Sequence, residues 1–388
     1  MINNGKRSAP EQETKKGFLR RLGALLVVLC AVLAVVALSS MENGKYLASL
    51  RRWLMYGDSR ATRDVYTYAA DPANRYGLLG NGLLVVGSNA VRIFQDDSTM
   101  SYELSPLGME DPQITVGGRQ AAVCDIGGNT LHVLDQNGLL RTMHTDHGLS
   151  YYSARLNGSG YLAVTEQKSG YRARVAVYDS GGEMVFHFDS YDSYISDAIV
   201  TEDCRRVVAV SLGAQNGAFA SRLLVYDMAR AELVGDYAIR DGLVLEAASR
   251  GDRLITLCDK RLSILTLDGE VLMDQAYGNL YLHDYVLTGK DFCALLLGRY
   301  QAGNVRTLTT YNLNGEQIAS MELTDEVLDM SGAGEYLAVL YGDSLVIYTK
   351  ELVEKARLEE TGYAGQVRME ADGTALVISG TSARRFQP

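Results

Sequence analysis

The sequence predicts an all-β fold, an eight-bladed β-propeller with seven blades as the alternative, preceded by a single N-terminal transmembrane helix. Three observations predict it. Eight apolar runs recur with starts 37 to 47 residues apart, the spacing of propeller blades. A second apolar segment follows each run, and several end in Asp-x-x-Gly or Asn-x-x-Gly, a tight turn that sends the chain back as another strand. Ahead of the repeats, Leu22 to Leu38 contains no charge.

The N-terminal elements follow from charge. The uncharged run extends roughly 25 Å as a helix, and Ser39, Ser40 and Met41 carry it to the interface. Lys6, Arg7, Lys15, Lys16, Arg20 and Arg21 flank its N-terminal end, so the positive-inside rule leaves residues 1–21 in the cytoplasm and the rest of the chain outside. A cleaved signal peptide is the rival, with Ala37 and Ser39 as small residues, but the run exceeds the roughly 7–15 residues of a signal core. In 42–57, Tyr46, Leu47, Leu50, Trp53 and Leu54 share one helical face while Lys45, Arg51 and Arg52 lie elsewhere. This suits a juxtamembrane amphipathic helix at the lipid surface, or a linker helix.

The repeats fill 58–388. The apolar runs are GLLVVG (82–87), RQAAVCD (119–125), GYLAVTE (160–166), RRVVAVSL (205–212), DRLITLCD (252–259), DFCALLLG (291–298), EYLAVLYG (335–342) and GTALVISG (373–380). Units of short strands bury their apolar faces only against neighbouring units, which is how a propeller is built. The eighth unit ends after three strands, and DVYTYAAD (64–71) is expected to supply its fourth, closing the ring and removing an open edge.

The units resemble those of the quinoprotein-like propeller superfamily, through turns such as Tyr178-Asp179-Ser180-Gly181-Gly182-Glu183 and Tyr311-Asn312-Leu313-Asn314-Gly315-Glu316. The layout of basic tail, span, RRWLMYG stretch and propeller resembles an uncharacterised family of membrane-anchored bacterial propeller proteins. The superfamily's quinone-dependent dehydrogenases carry tryptophan-rich blade motifs and a vicinal cysteine pair. This chain has one Trp, outside the propeller, and no adjacent cysteines, so the resemblance implies no quinone cofactor.

Composition narrows the function. Residues 1–57 carry nine Lys/Arg against three Asp/Glu, leaving 28 against 44 in 58–388, a net charge of −16 there. So acidic a domain excludes nucleic acid as a partner. No GxSxG, HExxH, CxxC or phosphate-cradling loop occurs. His144-Thr145-Asp146-His147 is the one histidine cluster, and two imidazoles in a polar turn lack the further ligands a metal needs. Cys124, Cys204, Cys258 and Cys293 fall in different units and read as small buried thiols.

Two groupings remain. Asp197, Glu246, Asp284 and Asp329 occupy the same place before the apolar run of four consecutive units, where the innermost strand lines the channel. At one level they would form a partial acidic ring that attracts a calcium ion; acceptance of backbone hydrogen bonds, blade by blade, is the structural reading and the stronger of the two. Extra residues also sit between the second and third strands of units three, four and six, at 167–174, 213–222 and 298–306. These project from the same face as the connections between blades. The sequence places there Tyr151, Tyr152, Tyr171, Arg172, Tyr191, Tyr194, Phe219, Arg222, Tyr281, Tyr300 and Arg306, with Tyr277 and Tyr363 in the same connections, a binding surface of aromatic and arginine side chains. The function expected is a non-catalytic binding or scaffold module for a protein, peptide or cell-envelope ligand, with no resident cofactor; the alternative is a cation-dependent hydrolase or lactonase using the acidic channel.

Overall fold

The turns between third and fourth strands show why the sequence folds as it does. Asp179 and Asn312 each accept the amide of a residue four positions on through the side chain, from Glu183 and Glu316, both at 2.9 Å. Gly182 and Gly315 sit at φ +92° and +87°, a region that glycine enters without a steric penalty. Asx side chain and glycine together reverse the chain within a few residues.

In this computed structural model the described residues are 63–215, 218–239 and 242–388, and their regular structure is entirely β. The strands form eight four-stranded antiparallel sheets. The first, innermost strands of blades 1 to 8 are Arg75–Leu79, Pro112–Gly117, Tyr151–Leu156, Tyr194–Val200, Val244–Arg250, Tyr281–Val286, Val327–Ala333 and Gln366–Met369. The second strands, such as Gly82–Val86, are buried almost throughout. That explains why they read as continuous apolar runs: both faces of the sheet are covered.

Eight core clusters hold the sheets together, each drawn from two adjacent blades. Ile199, Val208 and Leu223 of blade 4 pack with Ala247, Leu254 and Cys258 of blade 5. The last cluster joins blade 8 to blade 1 through Leu376, Ile378, Tyr66, Leu83 and Val85. The count is therefore eight blades in a closed ring, not seven. Closure occurs as expected, with Arg63–Thr67 as the outer strand of blade 8 beside Ser382–Phe386 and Tyr66 opposite Ala383. Arg385, 5% exposed, locks this junction: its guanidinium meets Asp96, Glu370, the Tyr66 hydroxyl and the Asn81 carbonyl.

Antiparallel order puts the blade connections and the second-to-third-strand turns at one rim, here the upper, and the other turns at the lower. Near the upper rim the first strands of blades 3 to 7 each carry a β-bulge, at Tyr151/Ser153, Ile195/Asp197, Val244/Glu246, Leu282/Asp284 and Val327/Asp329. Those of blades 1, 2 and 8 pair without one.

The expected tail (1–21), transmembrane helix (22–41) and juxtamembrane helix (42–57) lie outside the described residues; among the described residues no helix is long and apolar enough to cross a membrane. The cysteine reading needs one correction. Cys124, Cys258 and Cys293 are buried free thiols, pushed up to about 12 by burial. Cys204 is partly exposed instead, because it sits in a tight turn at φ +56° and not on a strand.

Candidate functional site

A bulge inserts one residue and re-aims its neighbours. In blades 4 to 7 the residue after the inserted one is Asp197, Glu246, Asp284 or Asp329, so the four acids do stand at one level of the channel. Three of them spend an oxygen on a backbone amide, two beside their own bulge and one across to the next blade. Asp197 accepts from Ala198 (2.9 Å), Asp284 from Tyr285 (2.7 Å) and Asp329 from Val367 of the next blade (2.7 Å).

Two arginines that sequence reasoning missed share this level. Arg155 of blade 3 reaches Glu246 of blade 5 at 2.9 Å and lies 3.8 Å from Asp197 of blade 4. The other Glu246 oxygen accepts the Tyr285 hydroxyl of blade 6 at 2.8 Å. Arg368 of blade 8 pairs with Asp329 at 3.0 Å and donates to the Tyr76 carbonyl of blade 1. The signal for both was period two: Ser153 and Arg155 share a strand face, as do Gln366 and Arg368. Burial raises the Asp197, Asp284 and Asp329 carboxyls, Asp284 to about 7 with the Asp329 charge adding to it.

Of the two readings of these acids, the geometry fits the structural one, a charge-paired layer. Guanidinium groups stand among the carboxylates, and among the described residues no three His, Cys, Asp or Glu side chains are grouped as metal ligands. Two cavities meet at the Arg155 side of this layer. A cavity of about 410 Å³ below it is lined by Gly117, Asn157, Glu202, Ser249 and Arg250; one of about 210 Å³ above it is lined by Tyr152, Ser196 and Leu245. Arg155 and Glu246 line both, so the two cavities adjoin at their ion pair.

The upper rim is apolar and aromatic. Leu245 and Leu328, the inserted residues of two bulges, are exposed, Leu245 by 55%. Tyr191 and Tyr300 are each 72% exposed, and Tyr171, Tyr194, Tyr281 and Tyr363 are exposed as well. Tyr171 meets Tyr191 edge to face at 6.3 Å, and Arg172 lies 4.9 Å over the Tyr194 ring while donating to its hydroxyl at 2.6 Å. Across the channel, His283, the inserted residue of blade 6, holds the Tyr300 carbonyl at 3.0 Å.

Not every expected residue joins this surface. Tyr151 is 1% exposed and packs between blades 2 and 3, because the bulge turns it inward and leaves Tyr152 toward the mouth. Tyr277 is buried likewise. Arg222 sits on a strand, not in a loop, and pairs with Asp236 at 2.7 Å; Arg306 donates to the Val327 carbonyl. The expected loop at 213–222 is a lengthened hairpin of Arg206–Gln215 and Ala218–Asp227. Phe219 lies on its second strand, with its side chain outside the described residues.

Residues 58–359 match a protein family described as a family of unknown function, DUF5711. The chain belongs to this family. No curated protein matches it in sequence. Among solved structures, BamB from Moraxella catarrhalis is similar, at 13% identity and a TM-score of 0.53, over 84% of this chain and all of that one. The C-terminal WD40 domain of Sif2 is similar at 13% identity and a TM-score of 0.59, over 86% of this chain and all of that domain. Saccharomyces cerevisiae Sqt1 is similar at 11% and 0.60, over 85% of this chain and all of Sqt1. At these identities the likeness shows the propeller fold of this DUF5711 member, and the site rests on its own geometry.

Proposed function

We propose that this protein is a membrane-anchored scaffold, its propeller outside the cytoplasm, that binds a protein, peptide or cell-envelope partner at the upper mouth and catalyses no reaction there. One observation carries the reading. Exposed Tyr171, Tyr191, Tyr194, Tyr281, Tyr300 and Tyr363 and exposed Leu245 and Leu328 converge on the rim where five successive bulges open the inner strands. Apolar and aromatic side chains exposed along one rim, with polar handles, have the surface chemistry of partner binding. The acidic domain argues for a partner that is neutral or basic. A cation-dependent hydrolase is less well supported, because Arg155 and Arg368 engage the carboxylates such a cation would need.

Affinity capture of surface partners with wild type and with a Tyr191/Tyr194/Tyr281/Tyr300 to Ala variant tests this. Truncation of a real hot spot costs at least about 2 kcal/mol, so the captured partner should be lost while the melting curve is retained. An unchanged partner profile from the folded variant would move binding off this rim.

A further inference from the structure

The upper cavity has a shape and chemistry that narrow the partner further, on the reading just given for the mouth. It lies between the inner strands of blades 3, 4 and 5, holds about 210 Å³, and has two unlike ends. Leu245, Val244 and the Tyr152 ring form an apolar wall toward the rim, while Asp197, Glu246 and Ser153 line the polar end.

The polar end is short of positive charge. Arg155 supplies one cation to two carboxylates, bonded to Glu246 at 2.9 Å and no closer than 3.8 Å to Asp197. One Asp197 oxygen takes the Ala198 amide, and the other has that longer contact. The Ser153 hydroxyl, 92% of its residue buried, turns to Asp197 and helps hold its charge, yet makes no hydrogen bond of full geometry. Buried polar groups ordinarily find full partners. A carboxylate oxygen and a hydroxyl in a walled cavity, where two acids share one guanidinium, match an incoming N–H cation whose charge would offset the burial that raises Asp197.

The cation's form follows from what is already spent. A guanidinium prefers two parallel carboxylate oxygens. Glu246 gives its two to Arg155 and Tyr285, and Asp197 gives one to the backbone. No bidentate acceptor is left in the cavity, whereas an ammonium, a compact charge with three donors, needs none. A bare metal ion would leave most of the space and the apolar wall unused, while an alkyl stem would cover that wall.

We propose that this cavity receives the alkylammonium side chain of a lysine presented by the protein partner across the tyrosine rim. The stem lies on Leu245 and Tyr152, and the ammonium donates to Asp197 and Ser153. The occupant thereby supplies the positive charge that Arg155 divides between two acids.

Calorimetric titration of the full-length chain in detergent tests this with three probes: acetyl-Gly-Tyr-Lys-Tyr-Gly-amide, its norleucine counterpart, and free cadaverine. The lysine peptide should bind at least tenfold more tightly than the norleucine peptide, and more tightly than cadaverine. Asp197→Asn should erase the lysine preference. Leu245→Trp, which fills the cavity and keeps every charge, should weaken the lysine peptide tenfold, so the test survives if Asp197→Asn fails to fold. Equal binding of lysine and norleucine peptides, or a preference that survives Leu245→Trp, overturns the proposal. Cadaverine binding as tightly as the peptide overturns the protein source and assigns the cavity to a small diffusible amine. A captured partner that needs the rim tyrosines but ignores both cavity variants overturns the lysine pocket and leaves the rim reading intact.

Discussion

Asp284 is a carboxyl held away from water, and the effect of that burial has a sign. Its carboxyl is held up to about 7, first by burial and then by the neighbouring Asp329 charge, against an ordinary value of 3.8. Arg368 pairs with Asp329, leaving Asp284 the backbone amides of Tyr285 and Met330. Between pH 4 and 7 the native state therefore keeps a proton that the unfolded chain has released, and stability falls as pH rises through that window. Asp197 and Asp329, raised for the same first cause, add slope of the same sign. Asp284→Asn should flatten the profile and raise stability at pH 8. A shift of that size bounds the gain at about 4 kcal/mol, at about 1.4 kcal/mol per pH unit, and water in the channel lowers it to the order of 1 kcal/mol. Melting curves at pH 4.5, 6 and 8 for both proteins check it; parallel pH profiles would contradict the assignment. The equivalent positions of the four acids were legible in the sequence, because a meander repeated at fixed spacing returns equivalent positions to one level. It did not show their counter-charges, since Arg155 and Arg368 sit on blades 3 and 8 while the acids sit on blades 4 to 7. Nor did it separate Tyr151 from Tyr152, because an inserted bulge residue inverts which neighbour faces the core.

At the scale of the element, the closing strand concentrates the stability argument. Arg63–Thr67 is five residues long, yet it completes blade 8, buries Tyr66 fully and brings the Tyr68 hydroxyl to the Ser379 carbonyl. Its role was legible because the last unit lacked one strand and DVYTYAAD alternates as a strand should. The arginine that clamps it was not, because Arg385 reads as a surface residue beside the chain end until the ring folds and places Asp96, Glu370 and Asn81 around it. Removing the cation strands two carboxylates in a partly dry site, so Arg385→Met should cost about 3 kcal/mol. Deleting residues 58–71 should cost more and broaden the transition, because it leaves an unpaired edge as well. Thermal unfolding followed by circular dichroism measures both; an unchanged midpoint in either variant would mean that the ring does not depend on this junction. The bulges were the least legible elements, since they depend on register between strands, which no single stretch of sequence reports.

For the whole molecule, repetition made the architecture readable: eight apolar runs became eight second strands, and eight interfaces became eight core clusters. The proposed location rests on the uncharged run and its basic flank. Protease added to intact cells should digest 42–388 and spare 1–21; protection of the propeller would invert the topology. The central claim is that partner binding lives at the upper mouth, where Tyr191, Leu245 and Tyr300 are exposed, and not on the lower rim. The most direct measurement is site-specific photo-crosslinking in intact cells. One photoreactive residue is placed in turn at Tyr191, Leu245 or Tyr300 of the upper rim and at Ser180 or Asn314 of the lower turns. Crosslinks to one partner from the three upper positions, with none from the two lower ones, are the predicted result. Crosslinks to that partner from Ser180 or Asn314, with the upper positions silent, would contradict it.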